Sequence, residues 1–252
     1  MMNKSEWKKV KLEECADINM GQSPISSSYN IDGNGIPFYQ GNADFGELYP
    51  KLRYYCSKPI KVANEEDLLL SVRAPIGKIN IAKTSCCIGR GLCAITPKKD
   101  IVLQKYLYYI LKYKENEFNL KGTGSTFKAI NKKQISETMF LLPDINIQKN
   151  IILKLENSEK LLKLKKEQLS ELEKLVKFQF LKIFGDPILN EKNWEIVTCQ
   201  KISFKIGSGS TPLGGEKNYK SEGISFIRSL NIYNNKFITD GLVLLRKYKL
   251  KN

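Results

Sequence analysis

Three stretches of the chain gather glycine and cations, two of them with small hydroxyls. Ser71-Val-Arg-Ala-Pro-Ile-Gly-Lys78 is the first, Ile88-Gly-Arg-Gly-Leu92 the second and Lys121-Gly-Thr-Gly-Ser-Thr-Phe-Lys128 the third. Glycine lets a backbone come close to a phosphate, N–H and hydroxyl groups donate to it, and cations neutralise it. An arginine fork also matches the acceptor edge of guanine. The candidate nucleic-acid contacts are therefore Arg73, Lys78, Arg90, Lys121, Ser125, Thr126 and Lys128. The third stretch lacks the GxxxxGK[ST] pattern of a P-loop. A tight structural turn accounts for it equally well. Arg73 has a competing role, an internal ion pair with Asp67 or Glu66.

Residues for catalysis are scarce. The chain contains no His, which removes Ser-His-Asp and Cys-His nucleophile systems and His-based metal hydrolysis. Cys15, Cys56, Cys86, Cys87, Cys93 and Cys199 form no CxxC pair, so neither a zinc site nor a disulfide framework is predicted. Glu65, Glu66 and Asp67, with Lys78 downstream, are the one acidic cluster with a nearby cation. They leave open a nuclease or methyltransferase built on Asp, Glu and Lys, against the plainer reading of a solvated strand start. The tyrosine pairs Tyr54-Tyr55 and Tyr108-Tyr109 read as core.

Charge points the same way as the loops. The 252 residues carry 41 Lys and Arg against 26 Asp and Glu, net +15. The surplus is +6 over 1–145, +4 over 146–184 and +5 over 185–252, so it is no basic tail. A broad positive field fits a polyanionic partner; a composition rich in Lys throughout is the competing account. The polar start is unlike a signal peptide, and no stretch approaches the roughly 18 apolar residues of a membrane span. A cytoplasmic protein is expected.

The elements that must position these loops are partly legible. Residues 36–40, 67–72, 79–82 and 92–96 read as short strands between Gly and Pro punctuation. Residues 101–113 read as an amphipathic helix with Leu103, Tyr106, Leu107, Ile110 and Leu111 on one face. Irregular strands with few helices make 1–145 an α+β domain. From 146 to 184 there is no Pro or Gly, and Leu155, Leu162, Leu169, Val176 and Ile183 recur every seventh residue. The interleaved set, Ile151, Ser158, Lys165, Leu172 and Gln179, is mixed. This predicts one long helix with a coiled-coil-type seam through Ile151, Leu155, Leu162, Leu169, Leu172, Val176 and Ile183, facing a partner helix. The alternative is a long amphipathic helix packed on its own domain. Gly185-Asp186-Pro187 is the stop signal.

An internal repeat divides the chain. Trp7-Lys-Lys-Val10 resembles Trp194-Glu-Ile-Val197, and Gly21-Gln-Ser-Pro24 resembles Gly209-Ser-Thr-Pro212. Gly35-Ile-Pro-Phe38 resembles Gly223-Ile-Ser-Phe226, and Leu52-Arg-Tyr-Tyr55 resembles Leu245-Arg-Lys-Tyr248. The first three offsets are 187, 188 and 188 and the last is 193, which implies a five-residue insertion in the second copy. The expected organisation is an α+β domain at 1–145, a long helix at 146–184 and the N-terminal part of a second copy at 185–252.

These blocks together resemble the target-recognition domain of type I restriction–modification specificity subunits. The resemblance rests on the Trp-x-x-Val opening, the GxSP turn, DLLLSVRAPIGKINIA, CIGRGLCAITP, KGTGSTFKAINKKQI, and Phe140-Leu-Leu-Pro-Asp-Ile-Asn-Ile-Gln-Lys-Asn-Ile-Ile leading into the helix. Asp144 stands where that family commonly has a second Pro, and Asn146 and Ile147 where it has acidic residues. Membership implies a subunit without catalytic residues or cofactors of its own. It implies two recognition domains reading a bipartite site in double-stranded DNA, and two long helices that set the spacing. It also implies methyltransferase (modification) subunits carrying S-adenosylmethionine, and a restriction/translocase subunit using ATP and Mg. On this resemblance the chain ends inside its second recognition domain; a half-subunit that self-associates through the long helix, or a non-functional remnant, are the variants. The rival class is a coiled-coil adaptor that binds protein and not DNA. No N-P-P-[YF] methyltransferase motif or Walker A is present to favour an enzyme.

Overall fold

The computed structural model describes residues 7–123, 128–233 and 236–246. The chain divides into two compact units, residues 1–176 and 177–252. No helix among the described residues is long and apolar enough to cross a membrane.

The first unit is α+β, as the irregular strand pattern predicts. Its central antiparallel sheet has the order Ala16–Met20, Leu92–Pro97, Leu68–Ser71, Ile79–Ile81. The unbroken Leu68-Leu69-Leu70 run has a physical reason: successive side chains point to opposite faces of a strand, and here both faces are covered. Leu68 and Leu70 join the main core with Ile18, Ile79, Cys93, Tyr106 and Leu107, whereas Leu69 joins a second cluster with Tyr39, Ile88, Leu92 and Ala94. That second cluster is shared with a five-stranded sheet of order Tyr29–Asn30, Tyr54–Cys56, Ile36–Tyr39, Cys86–Ile88, Val62–Ala63. One pairing in it, Ile36–Tyr39 with Cys86–Ile88, is parallel. The strand Lys8–Lys11 pairs with Met139–Leu142 and closes the domain.

The amphipathic helix begins at Gln104 and runs to Tyr113 rather than starting at 101, because Leu103 serves as its N-cap. Tyr106, Leu107 and Leu111 are buried as expected.

The long helix runs Ile145–Phe184, 40 residues, or about 60 Å at 1.5 Å per residue. Asp144 caps it: its Oδ1 accepts from the backbone N–H of Asn146 at 2.9 Å and of Ile147 at 3.0 Å. Gln148, fully buried, locks the first turn onto the domain. Its Oε1 accepts from Leu103 N at 2.8 Å, and its Nε2 donates to Pro143 O at 2.9 Å and Ile101 O at 3.1 Å. Ile152 is buried and Ile151 packs partly buried against the domain's main core. Ile151 therefore does not belong to a free partner-helix seam; the stripe there is still covered by its own domain. Further along, Leu155, Leu162, Leu169, Leu172, Val176 and Ile183 are exposed, Val176 to 71%.

The helix stops in the second unit. Gly185 takes a left-handed φ of +78 and its N–H bonds Leu181 O at 2.8 Å. Lys192 Nζ donates to Lys182 O and Ile183 O, each at 2.7 Å, and Trp194 Nε1 donates to Phe184 O at 2.7 Å. A cation and an indole thus satisfy the last carbonyls, at the end where the helix dipole favours positive charge.

The rest of the second unit carries an antiparallel sheet of order Tyr219–Lys220, Val243–Leu245, Ile224–Phe226. This repeats the first unit's Tyr29–Asn30, Tyr54–Cys56, Ile36–Tyr39 order. Ile36 faces Cys56 and Ile224 faces Leu245 in equivalent pairings. Gly35 and Gly223 match as well: a Cβ on either would meet the facing carbonyl oxygen, Cys56 O at 2.0 Å or Leu245 O at 1.9 Å. The repeat is structural, with one correction. Cys56 corresponds to Leu245, so the Leu52-Arg-Tyr-Tyr55 and Leu245-Arg-Lys-Tyr248 match is out of register. The counterpart of Arg53 is Leu242, and no five-residue insertion is present.

Candidate nucleic-acid interface

The glycines and hydroxyls in the loops are mostly structural, and the cations stand on what they build. In the 71–78 loop Ser71 is fully buried; its Oγ donates to Pro75 O at 2.7 Å and accepts from Lys78 N at 3.0 Å. Ile76 plugs into the core, and Gly77 takes φ +91, with Glu115 O 2.9 Å from where a Cβ would stand. That leaves Arg73, Ala74 and Pro75 exposed at the tip. In the 88–92 loop Gly89 N donates to Tyr39 O at 2.8 Å and Gly91 N to Gln40 O at 3.1 Å. A Cβ on Gly91 would lie 2.5 Å from Gln40 O, so close backbone approach needs glycine there. Arg90 projects between the two glycines and is exposed.

Both arginines reach one recess of 420 Å³. Arg53, Asp44, Gln40 and Asn42 line it with them. Asp44 is 3% exposed. Its Oδ2 accepts from Gln40 N at 2.7 Å and Gly41 N at 3.3 Å, and its Oδ1 from Arg53 Nε at 2.8 Å and from Arg53 Nη2. Three guanidiniums against one buried, fully bonded carboxylate leave the recess positive. Such a surface suits phosphates and the acceptor-rich edges of bases.

The other sequence-based candidates separate. Lys78 pairs with Glu115 at 2.8 Å and lines a different recess, and Lys121 pairs with Glu117 at 2.6 Å. Both are thereby partly neutralised on the surface. Lys128 is exposed. Beside it, Ala129 exchanges backbone hydrogen bonds with Thr123 and pairs with Arg73. Ser125 and Thr126 lie outside the described residues. Arg73 forms no ion pair with Asp67 or Glu66 among the described residues; the Asp67 carboxylate instead accepts from Asn64 N at 2.7 Å. The acidic cluster and Lys78 therefore do not assemble as an acid–cation site.

Arg53 and Asp44 were not singled out by sequence reasoning. Their signal is present only as Arg53 inside the Leu52-Arg-Tyr-Tyr55 repeat marker. The eight residues between Asp44 and Arg53 give no periodic hint that the two meet.

Four buried thiols are poor nucleophiles in this setting. Burial pushes Cys86, Cys87 and Cys93 up to about 12, so they stay protonated at neutral pH. Burial raises Cys15 as well, aided by Glu14.

Known proteins resemble this chain in sequence and, in part, in fold. Residues 4–174 match the family described as type I restriction modification DNA specificity domain. The chain is 42% identical over 174 residues, 68% of its length, to a protein of Methanocaldococcus jannaschii named putative type I restriction enzyme MjaX specificity subunit. It is 27% identical over 278 residues, 98% of its length, to the same organism's type I restriction enzyme MjaIX specificity subunit. Among solved structures, the HsdS subunit from Thermoanaerobacter tengcongensis superposes with a TM-score of 0.60 at 43% identity over 68% of this chain. The chain spans 41% and 63% of the two curated relatives and 43% of the solved one. With the family match covering residues 4–174 and these loops built as described, the chain belongs to the type I restriction modification DNA specificity domain family.

Proposed function

We propose that this chain is a DNA-recognition subunit, itself without catalysis, that directs partner methyltransferase and restriction subunits of a type I restriction–modification system to a specific duplex sequence in the cytoplasm. The observation that carries the reading is the recess where Arg53, Arg73 and Arg90 converge on rigid loops. Guanidiniums fixed by close backbone packing can discriminate base edges, whereas mobile cations only attract the backbone. The net charge of +15 supplies the non-specific attraction. Residues 1–145 form the recognition domain in this reading, 146–184 the spacer and 185–252 part of a second recognition domain. The exposed stripe through Leu155, Leu162, Leu169, Leu172, Val176 and Ile183 is the face for a partner helix, from a second specificity element or from a methyltransferase subunit. S-adenosylmethionine, ATP and Mg belong to those partners and not to this chain.

The test is DNA binding by the purified chain, alone and with the methyltransferase subunit of its own operon, across a salt series. Expected is enrichment of a short sequence that strengthens with the partner. Weak binding without selection at every salt, partner present, sinks the proposal in favour of an adaptor.

A further inference from the structure

We infer that Arg53, held by Asp44, reads a guanine through the major groove; this deepens the DNA-recognition reading above and rests on it.

Asp44 is 3% exposed and all its bonds come from its own loop and from Arg53. A buried charge must be matched, so the guanidinium is fixed opposite it. Yet the Arg53 side chain remains 51% exposed. Nε and one N–H of Nη2 are committed to Asp44 Oδ1. The Nη1 and remaining Nη2 donors face away as a planar pair. That pair matches the O6 and N7 acceptors of guanine, the one base presenting two acceptors side by side in the major groove. Because the fork is already oriented, little rotamer entropy is lost on contact.

The second unit shows that this ion pair is not required to make the turn. There the same short 3₁₀ turn, Ser229–Asn231, has Asn231 in the place of Asp44. Asn231 is fully buried, its Oδ1 accepts from Arg228 N at 3.0 Å, and its Nδ2 donates to Ile238 O at 3.0 Å. Just before the paired strand, where the first unit has Arg53, the second has Leu242. A neutral amide thus builds this turn, and the arginine there, Arg228, donates to Gly241 O instead of to an acid. The turn itself therefore does not call for a charge at Asp44.

The experiment is selection from randomised duplex DNA by the full chain, with and without the methyltransferase subunit. It compares wild type, Arg53→Lys and Asp44→Asn, with thermal melts to confirm folding. Wild type enriches sites with an invariant guanine. Arg53→Lys keeps the charge and the salt dependence but loses preference at that one position by about 10- to 100-fold. Asp44→Asn frees the guanidinium and removes a negative charge, so binding to random DNA tightens while the preference falls. A purely structural Asp44 would lose both together. A wild type that selects, with an Arg53→Lys variant selecting the same sites, overturns the guanine contact alone. A wild type that enriches no sequence overturns the DNA-recognition reading and the inference with it.

Discussion

Arg73 and Lys78 sit five residues apart in one loop, and their sequence context treats them alike. Their surroundings do not. Arg73 is an exposed tip residue on the positive recess, whereas Lys78 is held by Glu115 at 2.8 Å and lines another recess. An exposed ion pair of this kind contributes little to stability, but it cancels most of the field the lysine offers a phosphate. Arg73→Ala should therefore weaken DNA binding several-fold; if the contact is to a phosphate, the salt slope falls by about 0.9 and the loss is equal on all sequences. Lys78→Ala should change affinity by less than about twofold. Fluorescence anisotropy titrations at three or more salt concentrations decide this, and equal losses for both variants would refute the separation. The same contrast explains what the loop sequence conveyed. Glycine, serine and arginine together announce a phosphate- or base-binding loop, but only the fold tells which cation is already spoken for. The Asp44–Arg53 pair lay beyond sequence reasoning for a related reason. It is made by a sheet whose strands, such as Tyr29–Asn30 and Val62–Ala63, are two residues long and leave no alternating pattern to read.

At the scale of elements, the long helix was the most legible feature because an apolar position repeated at five successive heptads has few other solutions. Its start is where reading by period falls short. Ile151 and Leu155 lie on neighbouring positions of one stripe, yet Ile151 packs on the domain and Leu155 is 37% exposed. Periodicity reports that a face is apolar; it does not report what covers it. Gln148 is the residue that makes this junction rigid, and nothing about a glutamine on a helix marks it as buried. It satisfies Leu103 N, at the cap of the helix Gln104–Tyr113, together with the carbonyls of Pro143 and Ile101. Gln148→Ala would leave a buried donor and two acceptors to find other partners. The expected loss is about 2–4 kcal/mol of unfolding free energy, since each orphaned buried group costs about 1–3 kcal/mol and the carbonyls can partly recover. Leu162→Ala, 62% exposed in this structure, should cost less than about 0.5 kcal/mol in the chain alone. Urea titrations of the two variants provide the comparison. A Gln148→Ala protein as stable as wild type would mean that the helix is not docked through this side chain.

Across the whole molecule, positive charge is spread evenly and burial is not. Every residue of the three hydrophobic clusters lies between Val10 and Ile152. In the second unit, among the described residues, only Gly185 and Asn231 are buried. Ile227 is 51% exposed, while Phe226 and Leu242 to Leu245 are half-buried. Local opening costs least where few apolar contacts must be broken. Exposed Lys201 and Lys205 sit in such a region, whereas Lys83 and Lys98 are carried on turns anchored to the core sheet. Limited trypsin digestion of the isolated chain should therefore cut first beyond residue 184 and leave a resistant fragment holding the first unit. The fragment's N-terminal strand and Gln148 junction would both be intact, so it should melt as cooperatively as the parent. First cuts within the central sheet would instead mean that the first unit is not independently stable, and the argument from burial to autonomy would fail. Protection of Lys201 and Lys205 that appears only when the methyltransferase subunit or a cognate duplex is added would show that the second unit gains its missing contacts from a partner.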